Sequence, residues 1–523
     1  MKKELIGVLI CTLLITTVVL PVSGTLNSVN IKLEGQQSIV EDINEVTDEA
    51  LTYISQKNME PNTISGELKE VMIGTTIYVD DDNTEGPWYG TIDHPYQYIQ
   101  DGVDAANNGD TVYVFNGTYN EDIEIKSKSI ELTGEDQNTT IIWGLVFISY
   151  VSGLTLSFFT FQPGEDLESL AVLYSSKCTF TRNTFKAQEN LLGFETLGLS
   201  DSTISFNTFQ LSGEGAYGFI IGLSSGNTIT KNNFIGDGYS DTDGLNIGTS
   251  SNNVISENFF TNVCYAIAIG SAYPNTNRDN VISNNTITQG AGGVGIALGT
   301  FSTHNVVSGN NISNNDGDGI ILLDNANENL ICKNIISNNT DNGVIIIGSY
   351  YNKIIANTIS DSGKTGIYLP ATIPSSESKF NYFYYNNIER NGVCNAYDNY
   401  INIWYKPIGL FRGEGNYWDD YIGKDNNGDG IGDTPYKIPG AGGNRDKYPF
   451  MAPVDIDDVV VGEVEEFINE IVNEYKHDIK ENEINSLYLT KESLSSYIGM
   501  YQYHCQSSTP LFFQILQRVA NIR

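Results

Sequence analysis

Nine asparagines recur through the middle of this chain at a nearly fixed interval: Asn183, Asn207, Asn232, Asn258, Asn285, Asn310, Asn334, Asn357 and Asn386. The gaps are 24, 25, 26, 27, 25, 24, 23 and 29 residues. Three residues before each Asn stands Phe180, Ile204, Ile229, Ile255, Ile282, Val307, Ile331, Ile354 or Phe383. Two residues after it stands Phe185, Phe209, Phe234, Phe260, Ile287, Ile312, Ile336, Ile359 or Ile388. One period carrying both apolar and polar sets implies similar coils stacked into one long body, each burying its apolar residues against the next.

A leucine-rich horseshoe or a helical array could share that period, so composition decides. The repeats hold Ile, Val, Phe and Thr in short runs separated by Asn and Gly, with almost no helix-forming stretch. In Asn305 to Ile312 and Gly317 to Leu323, short strands joined by polar turns complete a coil. The expected fold is all-β, a parallel β-helix with rungs about 4.8 Å apart. The asparagines then form a ladder at one corner, and the Ile and Phe columns face inward, each side chain contributing roughly 1.5–3 kcal/mol. Gly218, Gly244, Gly319, Gly343 and Gly366 recur before one strand and are expected at turns that need a positive φ.

Both ends of an open stack need cover. Ile99, Val103 and Ala106, within Pro95 to Asn107, have helical spacing and predict a short N-terminal lid. Beyond Asp455, Val464, Phe467, Ile468, Ile471, Val472 and Tyr475 share one helical face. The expected divisions are a signal peptide over 1–24, a polar leader over 25–75 and the β-helix over 76–410. A cap with an acidic loop follows over 411–454, then a helical tail over 455–523. Lys2 and Lys3, the apolar stretch from Leu5 to Leu20 and the small residues Val22, Ser23 and Gly24 read as an export signal. No other segment could cross a bilayer as a helix. The chain is therefore expected outside the cytoplasm: secreted, periplasmic or at the cell surface.

Acids outnumber bases 64 to 28, for a net charge of −36. Such a surface disfavours nucleic acid and anionic lipid as partners. Cys178, Cys264, Cys332, Cys394 and Cys505 share no tight spacing, which argues against both a disulfide framework and a metal knuckle.

Two end motifs carry a family likeness. Ile77 to Asp81, His94-Pro95, Ile99-Gln100 and Asn108 to Tyr119 resemble the opening of secreted right-handed β-helix proteins of the pectin-lyase-like group. Gly415 to Tyr421, Asp425 to Tyr436 and Tyr448-Pro449 resemble the close of the NosD branch. The likeness spans about residues 76 to 453. It implies a right-handed β-helix outside the cytoplasm and, for NosD itself, copper-site maturation. Copper wants Cys, Met or His ligands, and the body offers only His94 and His304, so copper is disfavoured.

Asp241 to Ile247 resembles the strand entry of polygalacturonases, but that family's acid pair, Gly-His-Gly and Arg-x-Lys have no counterpart here. Asp243, Asp316, Asp318 and Asp341 all lie near the same strand entry and are weak catalytic candidates, with Arg278 and Lys364 as possible basic partners. Asp-Gly is also a common turn dipeptide, which is the plainer explanation. Asp425, Asn427, Asp429 and Asp433, with Gly430, match the first part of a calcium loop, although Tyr436 replaces its final bidentate acid. Calcium is thus the candidate cofactor. Tyr385, Tyr400, Trp404 and Tyr405 belong to an aromatic cluster suited to stacking on sugar rings, or else to covering the last rung. Tyr385 occupies a variable position in the repeat and is expected to face solvent. The favoured function is an exported, non-catalytic scaffold binding a polysaccharide or other cell-envelope component. A polysaccharide lyase or glycoside hydrolase is the alternative, and a copper-site maturation factor a further one.

Overall fold

Each coil contributes three short strands, and each strand pairs in parallel with its counterpart one coil on, giving long parallel sheets of 13, 12 and 13 strands. The computed structural model describes residues 74–459, apart from 164–167, 239–240, 272–276, 372–376 and 409–411. The expected signal peptide, nearly all of the leader, and the tail beyond 459 lie outside the described residues. The body is a right-handed parallel β-helix. The first sheet runs from Thr76–Val79 to Tyr382–Tyr384, the second from Ile123–Lys126 to Cys394–Asp398, and the third from Gly117–Tyr119 to Tyr417–Trp418.

The repeat fixes the register. Ile229, Ile255, Ile282, Val307, Ile331, Ile354 and Phe383 align strand on strand in the first sheet, each without exposed surface. In the third sheet Phe209, Phe234 and Phe260 stack nearly parallel, with centroids 4.4 and 4.5 Å apart. Cys332 fills a small buried slot above Ser308.

Between these two sheets the nine asparagines form a buried ladder. Asn285 donates its backbone N–H and its Nδ2 to Oδ1 of Asn310, at 2.9 and 3.0 Å, and Asn310 donates likewise to Asn334. Each Nδ2 also reaches a strand carbonyl one coil back, as Asn310 does to Ile282 at 2.9 Å. A second ladder stands five residues earlier, at the corner leading into the first sheet. It comprises Asn227, Asn253, Asn280, Asn305, Asn329, Asn352 and Asn381, bonded in the same way. Buried aspartates end both rows. Asn386 donates on to Asn416, whose backbone N–H Asp446 accepts, and Asn381 donates on to Asn402, whose Nδ2 Asp398 accepts along with that of Asn444.

The left-handed turns are not where the glycines suggested. Gly218, Gly244, Gly319 and Gly366 lie inside strands of the second sheet, Gly343 stands immediately before one, and none of the five has positive φ. Close packing selects them instead: a Cβ on Gly319 would meet the carbonyl of Gly343 and Cγ2 of Ile336, each at 2.5 Å. The positive φ falls one residue before each ladder Asn: on Arg182, Phe206, Lys231, Glu257, Asn284, Lys333, Ala356 and Tyr385 at 53–60°, and on Gly309 at 65°. That conformation costs a residue other than Gly roughly 1–2 kcal/mol, which the bonds of the buried Asn offset.

A seven-residue helix, Ile99–Ala105, closes the N-terminal end, with Ile99, Val103 and the following Ala106 packed into the core. At the other end Trp404 and Trp418 complete the core, with Nε1 donating to Asp398 and Asp446 respectively.

Candidate functional site

At the C-terminal end, beside the last rung, Tyr385, Lys406, Gly430, Phe450 and the run Met451 to Val454, with Val459, line a cavity of about 440 Å³. Of these only Tyr385 belongs to the Asn repeat; Gly430 and Phe450 to Val454 come from the cap, and Lys406 and Val459 flank it. The Tyr385 ring lies near-parallel to Phe450 at 6.1 Å, and its hydroxyl donates to Oε2 of Glu414. Lys406 sits over both Tyr384 and Tyr385, with Nζ 5.7 and 5.8 Å from their centroids. A pair of hydrogen bonds, Asn387 Nδ2 donating to Val454 O at 2.8 Å and Val454 N–H donating to Asn387 Oδ1 at 2.7 Å, fixes the opposite wall. Aromatic planes, an ammonium and an apolar wall thus meet in one recess.

Tyr385 is half-buried here rather than facing solvent as its repeat position implied, because the cap folds back over that corner. Trp404 is not available as a stacking ring. It has no exposed surface, stacks on Phe383 at 4.1 Å, and is held by Asp398. Burial of so large a ring over the last rung closes the core, which leaves no face for a sugar. Tyr405 is half-buried against Tyr448, with Lys447 over its ring at 5.1 Å, and Tyr400 is half-buried too. Neither lines the cavity.

The acid row divides. Asp243 stands in register with Tyr217 on one side and Tyr265 on the other. Tyr265 pairs with Val294 and Val294 with Asp318, so Asp243 and Asp318 are three rungs, about 14 Å, apart. Paired carboxylates in glycoside hydrolysis are about 5–9.5 Å apart. Asp243 is therefore separated from the rest. Burial pushes its carboxyl up to about 7, against the opposing bond from Asn246 Nδ2 at 3.0 Å. Asp318 is also raised by burial, while accepting N–H and Nδ2 of Asn342 at 2.8 and 2.9 Å. Asp341 is clamped by Lys364 at 2.6 Å, and Asp316 accepts the hydroxyl of Thr340. Arg278 pairs with its neighbour Asp279 at 3.5 Å.

In the acidic loop, Asp425 accepts the backbone N–H groups of Gly428 and Gly430 at 2.7 and 2.9 Å, which hold its carboxyl below the ordinary range. Asp429 accepts from Ile431 N–H and Asn427 Nδ2, and Asp433 from Asn426. Among the described residues no three His, Cys, Asp or Glu side chains converge as a metal cluster.

The family described as "Periplasmic copper-binding protein (NosD)" matches residues 237–423, and "Right handed beta helix region" matches residues 144–312. No curated protein matches the chain. Similar solved structures include the periplasmic alginate epimerase AlgG, at 17% identity over 56% of this chain and 74% of that one, TM-score 0.35. The A-module of the mannuronan C-5 epimerase AlgE4 from Azotobacter vinelandii is 14% identical over 65% and 94%, TM-score 0.35. A mannuronic acid specific polysaccharide family 6 lyase from human gut microbiota is 12% identical over 77% and 100%, TM-score 0.44. None carries its chemistry over to this chain. Copper does not fit the described donors either. His94 packs edge-on to Tyr89 beside the first strand, and His304 pairs with Glu328 at 2.8 Å, about nine rungs further along. The described cysteines are buried or half-buried and do not join them.

Proposed function

We propose that this chain, a right-handed β-helix protein of NosD-like type, is an exported scaffold that binds a polysaccharide at its C-terminal end without covalent chemistry. One observation carries the reading: Tyr385, Phe450 and Lys406 converge on a recess large enough for a sugar residue, with an apolar wall opposite. Aromatic faces stack on the C–H faces of a pyranose, and an ammonium bonds a hydroxyl or carboxylate at its edge. The long stack acts as a rigid stem that presents this end. No described helix is long and apolar enough to cross a membrane. A cell-envelope or extracellular polysaccharide is the partner in this reading, and the extracytoplasmic location follows the family description and the export signal.

A lyase or hydrolase remains the second reading, and one observation favours it. Asp318, raised by burial, lies one rung from the Asp341–Lys364 pair, which places two carboxyls and an ammonium together on a strand-entry edge. Calorimetric titration with neutral and acidic oligosaccharides distinguishes the two. Under the binding reading, Tyr385→Ala and Lys406→Gln each weaken affinity, whereas Asp318→Asn leaves it unchanged. Affinity indifferent to both pocket variants would overturn it.

A further inference from the structure

The outer face of the first sheet changes character along the stack. Its outward column reads Thr179, Thr203 and Thr228 on the earlier rungs, then Val254, Val281, Val306 and Leu330. Register makes these residues outward, because Ile255, Ile282, Val307 and Ile331 beside them fill the core. Solvent gives no reason for three valines and a leucine in that column. Leu330 already has cover: Ile456 and Val459 pack on a cluster of Leu330, Cys332, Ile355, Ala356 and Tyr384 outside the main core. Lys333 Nζ donates to the carbonyl of Asp457 at 3.2 Å. From Val454, tied to Asn387, the chain thus runs back along the sheet towards the earlier rungs. Cover fades in the same direction. Leu330 is 3% exposed and Val306 0%, Val281 is half-buried, and Val254 is 37% exposed.

We infer that residues 464–475, which follow the described chain, dock along this outer face over Val306, Val281 and Val254. Their apolar residues Val464, Phe467, Ile468, Ile471, Val472 and Tyr475 recur at helical spacing, and the residues between them are mostly acids and asparagines. Twelve residues of helix span about 18 Å. The steps from Leu330 to Val254 number three, about 14 Å, and the next residue in the column is Thr228, where the apolar strip ends. Segment and strip therefore match in length, in direction and in chemistry. The same run, Met451 to Val459, walls the recess at Tyr385, so docking of the segment also anchors that wall.

Hydrogen exchange on the full chain tests this without any ligand. The account predicts protected amides over 464–475 in the wild type. Val254→Asp/Val281→Asp, on the outward face, should accelerate their exchange by about tenfold or more and leave the strands of the stack protected. Phe467→Asp/Ile471→Asp, which leaves the stack untouched, should do the same. Exchange at unfolded rates in the wild type, or protection that survives both variants, overturns the inference. Protection that grows with protein concentration, alongside a dimer mass in light scattering, assigns the face to a second copy and overturns it too.

Discussion

Asn310→Ala should be among the most damaging single truncations in the stack, and the geometry sets its size. The side chain is 1% exposed. Its Oδ1 accepts the N–H and Nδ2 of Asn285, and its Nδ2 donates to Ile282 O, Ser308 O and Asn334 Oδ1. Some partners keep another bond: Ser308 O still accepts Asn284 N–H, and Asn334 Oδ1 still accepts the backbone N–H of residue 310. Asn285 Nδ2 keeps its bond to Ile255 O, but the backbone N–H of Asn285 loses the only acceptor it had. At about 1–3 kcal/mol for that stranded buried donor and about 1 kcal/mol for each other lost bond, the loss is about 2–5 kcal/mol. Asn311 is the internal control. It is exposed on the strand that pairs with Ile335, and Asn311→Ala should change stability by no more than about 0.5 kcal/mol. Urea unfolding of both variants gives the comparison, and hydrogen exchange should localise the Asn310→Ala loss to the coils on either side. Equal costs for the two alanines would refute the claim that the ladder holds the corner.

Ile282→Asp or Ile331→Asp should place a carboxylate in the dry core and unfold the neighbouring rungs, read as a loss of more than about 3 kcal/mol in urea unfolding. Asp243 binds its proton more tightly folded than unfolded, up to about 7 against the ordinary 3.8, so its contribution to stability falls as pH rises through that window. Asp243→Asn should remove that slope and, at pH 8, stabilise the chain by at most about 4 kcal/mol, measured as the wild-type minus variant difference across pH 4 to 8. A variant with the wild-type slope would contradict this. Calcium should raise the melting temperature through the loop of Asp425, Asn427, Asp429 and Asp433, and Asp429→Ala should abolish the rise. An unchanged response in the variant would rule that loop out.

The period of the asparagines made the stack legible, and the Ile, Val, Phe and Thr runs between them set strands rather than helices on each coil. The second ladder was equally open to reading: Asn227, Asn253, Asn280, Asn305, Asn329, Asn352 and Asn381 each precede a first-ladder Asn by five residues. The glycines misled because close approach and positive φ both select Gly, and the sequence does not distinguish them. Trp404 misled for another reason. It lies past the repeat, where no column says which way a ring points, and the last rung needed covering. The recess joins Tyr385 to Lys406, Gly430 and Phe450, residues outside the Asn repeat, so no spacing foretold it. Asp398 and Asp446 carry no repeat signature in the sequence, and only the fold places them at the ends of the ladders.

Binding and turnover measured on the same oligosaccharides test the central claim most directly. The account predicts saturable binding that weakens in Tyr385→Ala, with no reducing ends and no unsaturated products from the wild type. For an acidic glycan, the net charge of −36 should make that binding depend on calcium or added salt. Product formation that disappears in Asp243→Asn or Asp318→Asn, with binding intact in Tyr385→Ala, would contradict it.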